Sequence, residues 1–157
     1  MANQSALSKY QKLTDKEHIL KIASSKKIQY MDGLRLSRAI ISGVRYLISR
    51  QDHLNKINVF PVPDGDTGTN MSFTMNAILE VAIGEIQPRV DIFTKNISEA
   101  AIDGARGNSG VLIAQYFVGF AEGCEDQEKL DAHTLSKALD VGSKSAREAM
   151  EDPKEGT

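Results

Sequence analysis

Apolar residues recur at three- and four-residue intervals along most of this chain, and the two-residue alternation of a half-buried strand is scarce. That period restricts the chain to a predominantly helical domain. From Asp32 to Arg50, Leu36, Ile40, Ile41, Val44, Leu47 and Ile48 share one stripe, with Asp32 placed as an N-cap. From Thr69 to Ile83 the stripe is Met71, Met75, Ile78, Leu79 and Ala82, and Gly84 is a natural stop. A weaker helix covers 91–103, with Phe93, Ile97, Ala100 and Ala101 inward. Ser109–Glu122, SGVLIAQYFVGFAE, is apolar nearly all round, which predicts a central helix. A last stripe, Leu135, Ala138, Leu139, Gly142, Ala146, Ala149 and Met150, ends before Pro153. Thr14-Asp15-Lys16-Glu17 has capping-box spacing ahead of a short helix through about Ser24. The predicted connections are 51–68, 84–90, 103–108 and 123–133.

The 157 residues suit one domain with a sizeable core. Basic and acidic residues number 19 and 21, so the net charge of −2 gives no general attraction to nucleic acid or anionic membrane. Cys124 is the single cysteine; an intrachain disulfide and a thiolate metal site are both excluded, which fits a reducing compartment. No signal-like apolar run opens the chain, and no apolar stretch approaches the about 18 residues of a membrane span. The expected location is the cytoplasm. The sequence stops at PKEGT without a terminal element, as a piece of a longer protein would.

Two loops carry the chemistry. In NVFPVPDGDTGTNM, residues 58–71, Asp64 and Asp66 flank Gly65, so both carboxylates can reach one cation or a close pair, and Asn58 can add a carbonyl oxygen. Thr67, Gly68, Thr69 and Asn70 follow at a helix start, where backbone N–H groups and hydroxyls favour anions. The second loop is Gly104-Ala105-Arg106-Gly107-Asn108-Ser109-Gly110. Its spaced glycines let backbone approach a ligand, Asn108 or Ser109 can cap the next helix, and Arg106 can meet a phosphate with a forked donor pair. Both loops are also ordinary turn-and-cap chemistry, and that reading stays open.

Rival motifs fit less well. An EF-hand beginning at Asp64 fails at Gly68, Thr69 and Met75; no Gly-Lys-Ser/Thr phosphate loop and no G-x-G-x-x-G occurs. An aspartyl-phosphate phosphatase wants a threonine one position earlier than Thr69 and a strand that Pro61 and Pro63 oppose. His18, His53 and His133 have no metal spacing. Cys124, followed by Glu125 and Asp126, lacks a base and is expected to have a raised pKa.

NVFPVPDGDTGTNM followed by GARGNSGVLIAQYFVGF resembles the nucleotide-binding domain of the dihydroxyacetone kinase family, and more closely its bacterial fatty acid kinase branch. The resemblance runs from about Ile28 to Thr157, making 28–157 an ATP-binding kinase domain and 1–27 an N-terminal extension. It implies an all-α barrel or bundle of antiparallel amphipathic helices, with further helices after the point where this chain ends. It implies ATP where the loops converge and two Mg²⁺ ions held by Asp64 and Asp66. Asn58 stands where the wider family has a third Asp, as in the fatty acid kinase branch. Thr67, Gly68, Thr69, Asn70, Gly107, Asn108, Ser109 and Gly110 would hold the phosphates, with Arg106 neutralising charge on the transferred group. The implied reaction is phosphoryl transfer to a fatty acid carboxylate presented by a partner protein or a further domain, in a chain compatible with an oligomer. The alternatives are a dihydroxyacetone-type kinase subunit and a non-catalytic nucleotide-binding or interaction module.

Overall fold

A computed structural model describes residues 28–59, 63–84 and 87–150. The expected helix from Thr14 to about Ser24 and the segment around Pro153 lie outside the described residues. Six helices occur among those described: α1 (Gly33–Ser49), α2 (Gln51–Lys56), α3 (Thr67–Gly84), α4 (Val90–Gly104), α5 (Gly107–Gly123) and α6 (Ala132–Glu148). Five coincide with the periodic stretches. The sixth, α2, lies inside the predicted 51–68 connection. Two two-residue strands, β1 (Met31–Asp32) and β2 (Lys129–Leu130), pair antiparallel, Met31 against Leu130 and Asp32 against Lys129.

The ends of the helices follow from local chemistry. Asp32 accepts a hydrogen bond from the Arg35 amide (2.9 Å) and so caps α1 as predicted. Asp131 and Thr134 form a reciprocal capping box at the start of α6. At α4 no side chain caps; instead the amides of Val90 and Asp91 donate to the carbonyls of Glu128 and Gln127, at 3.1 and 3.0 Å. The Gly33 amide donates to the Pro88 carbonyl (2.8 Å), drawing the start of α1 to the same place. The start of α1, the start of α4 and the α5–α6 connection thus meet at one pole. Arg89 closes this pole with ion pairs to Asp91 and Glu128, both 2.6 Å.

The helices are an all-α bundle in which α3, α4, α5 and α6 alternate in direction. α3 packs against α1, α2, α4 and α5, and α5 against α3, α4 and α6. The core gathers Val44, Ile78, Val90, Phe93, Ile97 and Leu130, all fully buried, with Leu36, Met75, Phe117 and Phe120 around them. Burying each large side chain contributes about 1.5–3 kcal/mol before conformational entropy is subtracted. A buried Ser37 hydroxyl donates to the Ala82 carbonyl (2.9 Å), tying α1 to the end of α3.

The α5–α6 seam is built from small residues. A Cβ on Gly119 would lie 2.8 Å from the Val141 carbonyl oxygen, and one on Gly123 2.6 Å from the Ala138 Cα, so the two backbones touch. Centring the contact on Ala138 and Gly142 rotates Leu139 outward, where it is 44% exposed rather than inward as its place on the stripe suggests. Ala149 follows the last turn of α6 and is also exposed.

Gly119→Val removes the clearance between α5 and α6 and is expected to cost about 3 kcal/mol, read as a lower urea midpoint. A second expectation concerns acid. The hydrogen bond from Arg89 holds the Asp91 carboxyl below its ordinary value of 3.8, aided by the Ile92 amide and opposed by burial. A folded pKa below the unfolded one gives stability that is complete above the unfolded value and is lost as pH falls through the folded value. Asp91→Asn should therefore be less stable than the parent near neutral pH, and urea titrations should show the gap closing as pH falls below the ordinary carboxylate value of 3.8.

Candidate functional site

The antiparallel order puts the first turns of α3 and α5 at the same pole, because α4 runs back between them. Contact between the two loops is direct. A Cβ on Gly107 would fall 2.8 Å from the Asn70 Cγ, so the glycine backbone lies flat against that side chain, and its φ of +58° lies in the region that favours glycine. Buried Thr74 reinforces the contact: its hydroxyl is 3.2 Å from the Asn70 carbonyl and 3.3 Å from that of Gly104. Gly110 lies where a Cβ would be 3.3 Å from the Asn70 carbonyl oxygen.

Asp64-Gly65-Asp66 forms the approach to α3. Gly65 takes φ +69°, turning the chain so that both flanking aspartates are exposed. Asp66 immediately precedes the helix, and its carbonyl accepts the first helical bond, from the Asn70 amide (2.9 Å). Among the described residues neither carboxylate is engaged by a cation or a hydrogen-bond donor. A pair of uncompensated, hard oxygen ligands two residues apart fits Mg²⁺. Among the described residues no three His, Cys, Asp or Glu side chains converge on a point. Further ligands would be neutral oxygens, phosphate or water.

The first-turn amides of α3 belong to Thr67, Gly68 and Thr69, and those of α5 to Gly107, Asn108 and Ser109; position alone denies these groups a partner within their helix. One expected donor is already used inside the fold, and the hydroxyl of the same residue is engaged as an acceptor. The Thr69 amide donates to Asn55 Oδ1, and Asn55 Nδ2 donates to Thr69 Oγ1, both at 3.0 Å. Gly68 is buried under α2, where a Cβ would meet the Leu54 Cβ and Asn55 Oδ1 at 2.9 Å, so this glycine serves helix packing. Asn108 and Ser109 lie within the first turn of α5 rather than capping it; Arg106 holds the cap position without a side-chain cap bond. The exposed Arg106 guanidinium donates to its neighbouring Ala105 carbonyl (2.7 Å). Asn58 is half-buried beyond α2, its amide 3.4 Å from the Asn55 carbonyl.

Asn55 and Thr74 are the residues that sequence reasoning missed. The signal for Asn55 lay in a stretch read as connection, and Thr74 sat unremarked on a helical face. The phosphatase reading finds no support, since residues 63–66 are an irregular turn leading into a helix. Cys124 is fully buried and its thiol is pushed up to about 11, by burial first and by Asp91 in addition, against a hydrogen bond with Thr94. Its raised pKa therefore comes from burial and from Asp91, not from the acidic residues that follow it. A cavity of about 650 Å³ between α4 and α5 is lined by Asp91, Lys95, Glu99, Glu122 and Asp126 among others, and by no residue of either loop.

Comparison with known proteins places these loops in context. The DAK2 domain family matches residues 61–157. A protein of Staphylococcus saprophyticus described as uncharacterized is 36% identical over 130 residues, 83% of this chain and 24% of that protein. A similarly described protein of Staphylococcus aureus strain USA300 is 35% identical over the same shares. The chain thus spans 24% of the length of these curated relatives.

Gly107→Ala places a side chain both in a disfavoured backbone region and against Asn70. It should cost about 2 kcal/mol in thermal or urea unfolding.

Proposed function

This chain belongs to the DAK2 domain family, and on that premise we propose that it is a nucleotide-binding domain holding phosphates where α3 and α5 begin. The observation that carries the reading is the seating of Gly107 on Asn70, which sets two helix N-termini side by side. Each presents amide donors and the positive end of its dipole to the same region. The amides of Thr67, Gly107, Asn108 and Ser109 are the donors for phosphate oxygens, with Gly68 letting α2 pack over the start of α3 and Gly110 allowing α5 to start close to α3. Thr69 and Asn70 serve by fixing the first turn of α3. Arg106, at the rim, supplies a movable charge for the terminal phosphate. The domain is taken as 28–157, with 1–27 as an extension, and the location as cytoplasmic.

The nucleotide is proposed to be ATP with Mg²⁺, two ions in the full complement, held by Asp64 and Asp66 with Asn58 as a neutral oxygen ligand. When bound, the metal would neutralise phosphate charge. The chain's own task is to keep two carboxylates uncompensated beside an anion site, a juxtaposition with use mainly for a metal–nucleotide complex.

A finer reading makes the domain the nucleotide half of a phosphotransferase, and the exposed acidic pair beside the anion site favours it. The acceptor would be a fatty acid carboxylate, presented by another protein or by further domains of a longer chain. Such an acceptor is ionised near neutral pH and needs no general base. A dihydroxyacetone-type acceptor is the competing substrate class; binding without transfer is the coarser reading.

Calorimetric titration with ATP tests the proposal. Asp64→Ala with Asp66→Ala should weaken affinity at least about tenfold in the presence of Mg²⁺, about 1.4 kcal/mol, and leave metal-free affinity unchanged. Equal Mg²⁺-dependent affinity in parent and variant would sink the metal assignment.

A further inference from the structure

Asp66 stands at the N-cap position of α3, where aspartate ordinarily turns its carboxylate back onto the amide two or three residues ahead. Here the amide three ahead, Thr69 N–H, is taken by Asn55 Oδ1 of α2 at 3.0 Å. The same carboxamide donates from Nδ2 to Thr69 Oγ1 at 3.0 Å, and Gln51 Nε2 approaches that hydroxyl at 3.5 Å. The carboxamide is thus fixed at both ends. Gly68 makes this reach feasible, since any Cβ there would strike Asn55 Oδ1 at 2.9 Å. The Asp66 carboxylate meanwhile is exposed and makes no hydrogen bond among the described residues.

From this arrangement we infer that Asn55 is a positioning residue: it caps α3 from a neighbouring helix and thereby keeps the Asp66 carboxylate free to ligate a divalent cation. The inference deepens the nucleotide–metal reading above and rests on it. Its physical basis is competition for one donor. A helix start needs its orphan amides satisfied. A carboxylate that satisfies one of them spends a lone pair and an orientation on its own backbone, and the charge-assisted bond makes that state favourable. Supplying the acceptor from α2 removes the reason for Asp66 to turn inward. The cost of capping is moved to a neutral side chain that no cation requires.

The inference makes Asn55 and Asp66 non-additive in two independent measurements. In the parent, Asp66→Ala should change the melting temperature little, because Asp66 caps nothing. In Asn55→Ala, Asp66 should swing onto the Thr69 amide, so adding Asp66→Ala there should lower the melting temperature by several further degrees. Mn²⁺ binding, followed by the EPR signal of the free ion, should weaken about tenfold in Asn55→Ala and in Asp66→Ala alike. Metal-free ATP affinity should not move. Asn55→Asp keeps the acceptor for the Thr69 amide, and in that background Asp66→Ala should again be thermally neutral. Should Asn55→Ala fail to fold, Asn55→Ser, too short to reach the Thr69 amide, carries the same comparison.

Additive melting temperatures together with unchanged Mn²⁺ affinity in Asn55→Ala would overturn the inference while leaving the metal role of Asp66 intact. Unchanged Mn²⁺ affinity in Asp66→Ala would instead remove the metal reading and, with it, the purpose assigned to Asn55.

Discussion

The molecule depends on one alternation of direction. α3 runs away from the loop pole, α4 runs back, and α5 starts again where α3 started. Two helix N-termini therefore face the same solvent, each with unpaired amides and a partial positive charge. Anything that lengthened or tilted α4 would slide them apart. The connection between α4 and α5 is only Ala105 and Arg106, which leaves no slack, and the Thr74 hydroxyl spans from α3 to the last carbonyl of α4. The opposite pole holds the other ends in register: the carbonyls of Gln127 and Glu128 receive the first amides of α4, and the Arg89 ion pairs cover them. Pole and counter-pole work as a pair, one closed by hydrogen bonds and charge, the other setting two helix starts side by side.

The sequence disclosed the five long helices because each buries a periodic face. Val44, Ile78, Phe93, Ile97 and Ala138 lie where the spacing places them, fully buried. Its failures have physical causes. α2 is six residues, QDHLNK, with none of them buried, so no apolar stripe announces it. Leu139 was assigned inward by its hydropathy, yet the seam it adjoins selects for small volume, and glycine contact outweighs one leucine. The two-residue strands are too short to alternate. The pairing of amides at the start of α4 with carbonyls from 127–128 joins segments more than thirty residues apart, which no local pattern encodes.

The candidate site was legible in outline and not in its division of labour. PDGDTGTN and GARGNSG both contain the residue types a metal–phosphate corner needs, and the fold brings them together. Letters alone do not say which donors face outward. Thr69 looked like a ligand and is held by Asn55; Gly68 looked like a place for phosphate and is roofed by α2. Both reassignments arise from a helix that sequence patterning passed over. The contacts that fix Thr69 and cover Gly68 became visible only with α2.

Tyr30 is clasped between Arg35 and Lys129, whose charged groups lie 5.1 and 4.6 Å from its ring centre. Those contacts fasten the chain just ahead of β1 to the counter-pole, the end away from Asp64 and Gly107. α6, antiparallel to α5, finishes on the other side, level with the early turns of α5. The domain is therefore strung axially. Tyr30 is thus fixed at the counter-pole, whereas Glu148, the last residue of α6, lies at the end of the bundle where α3 and α5 begin.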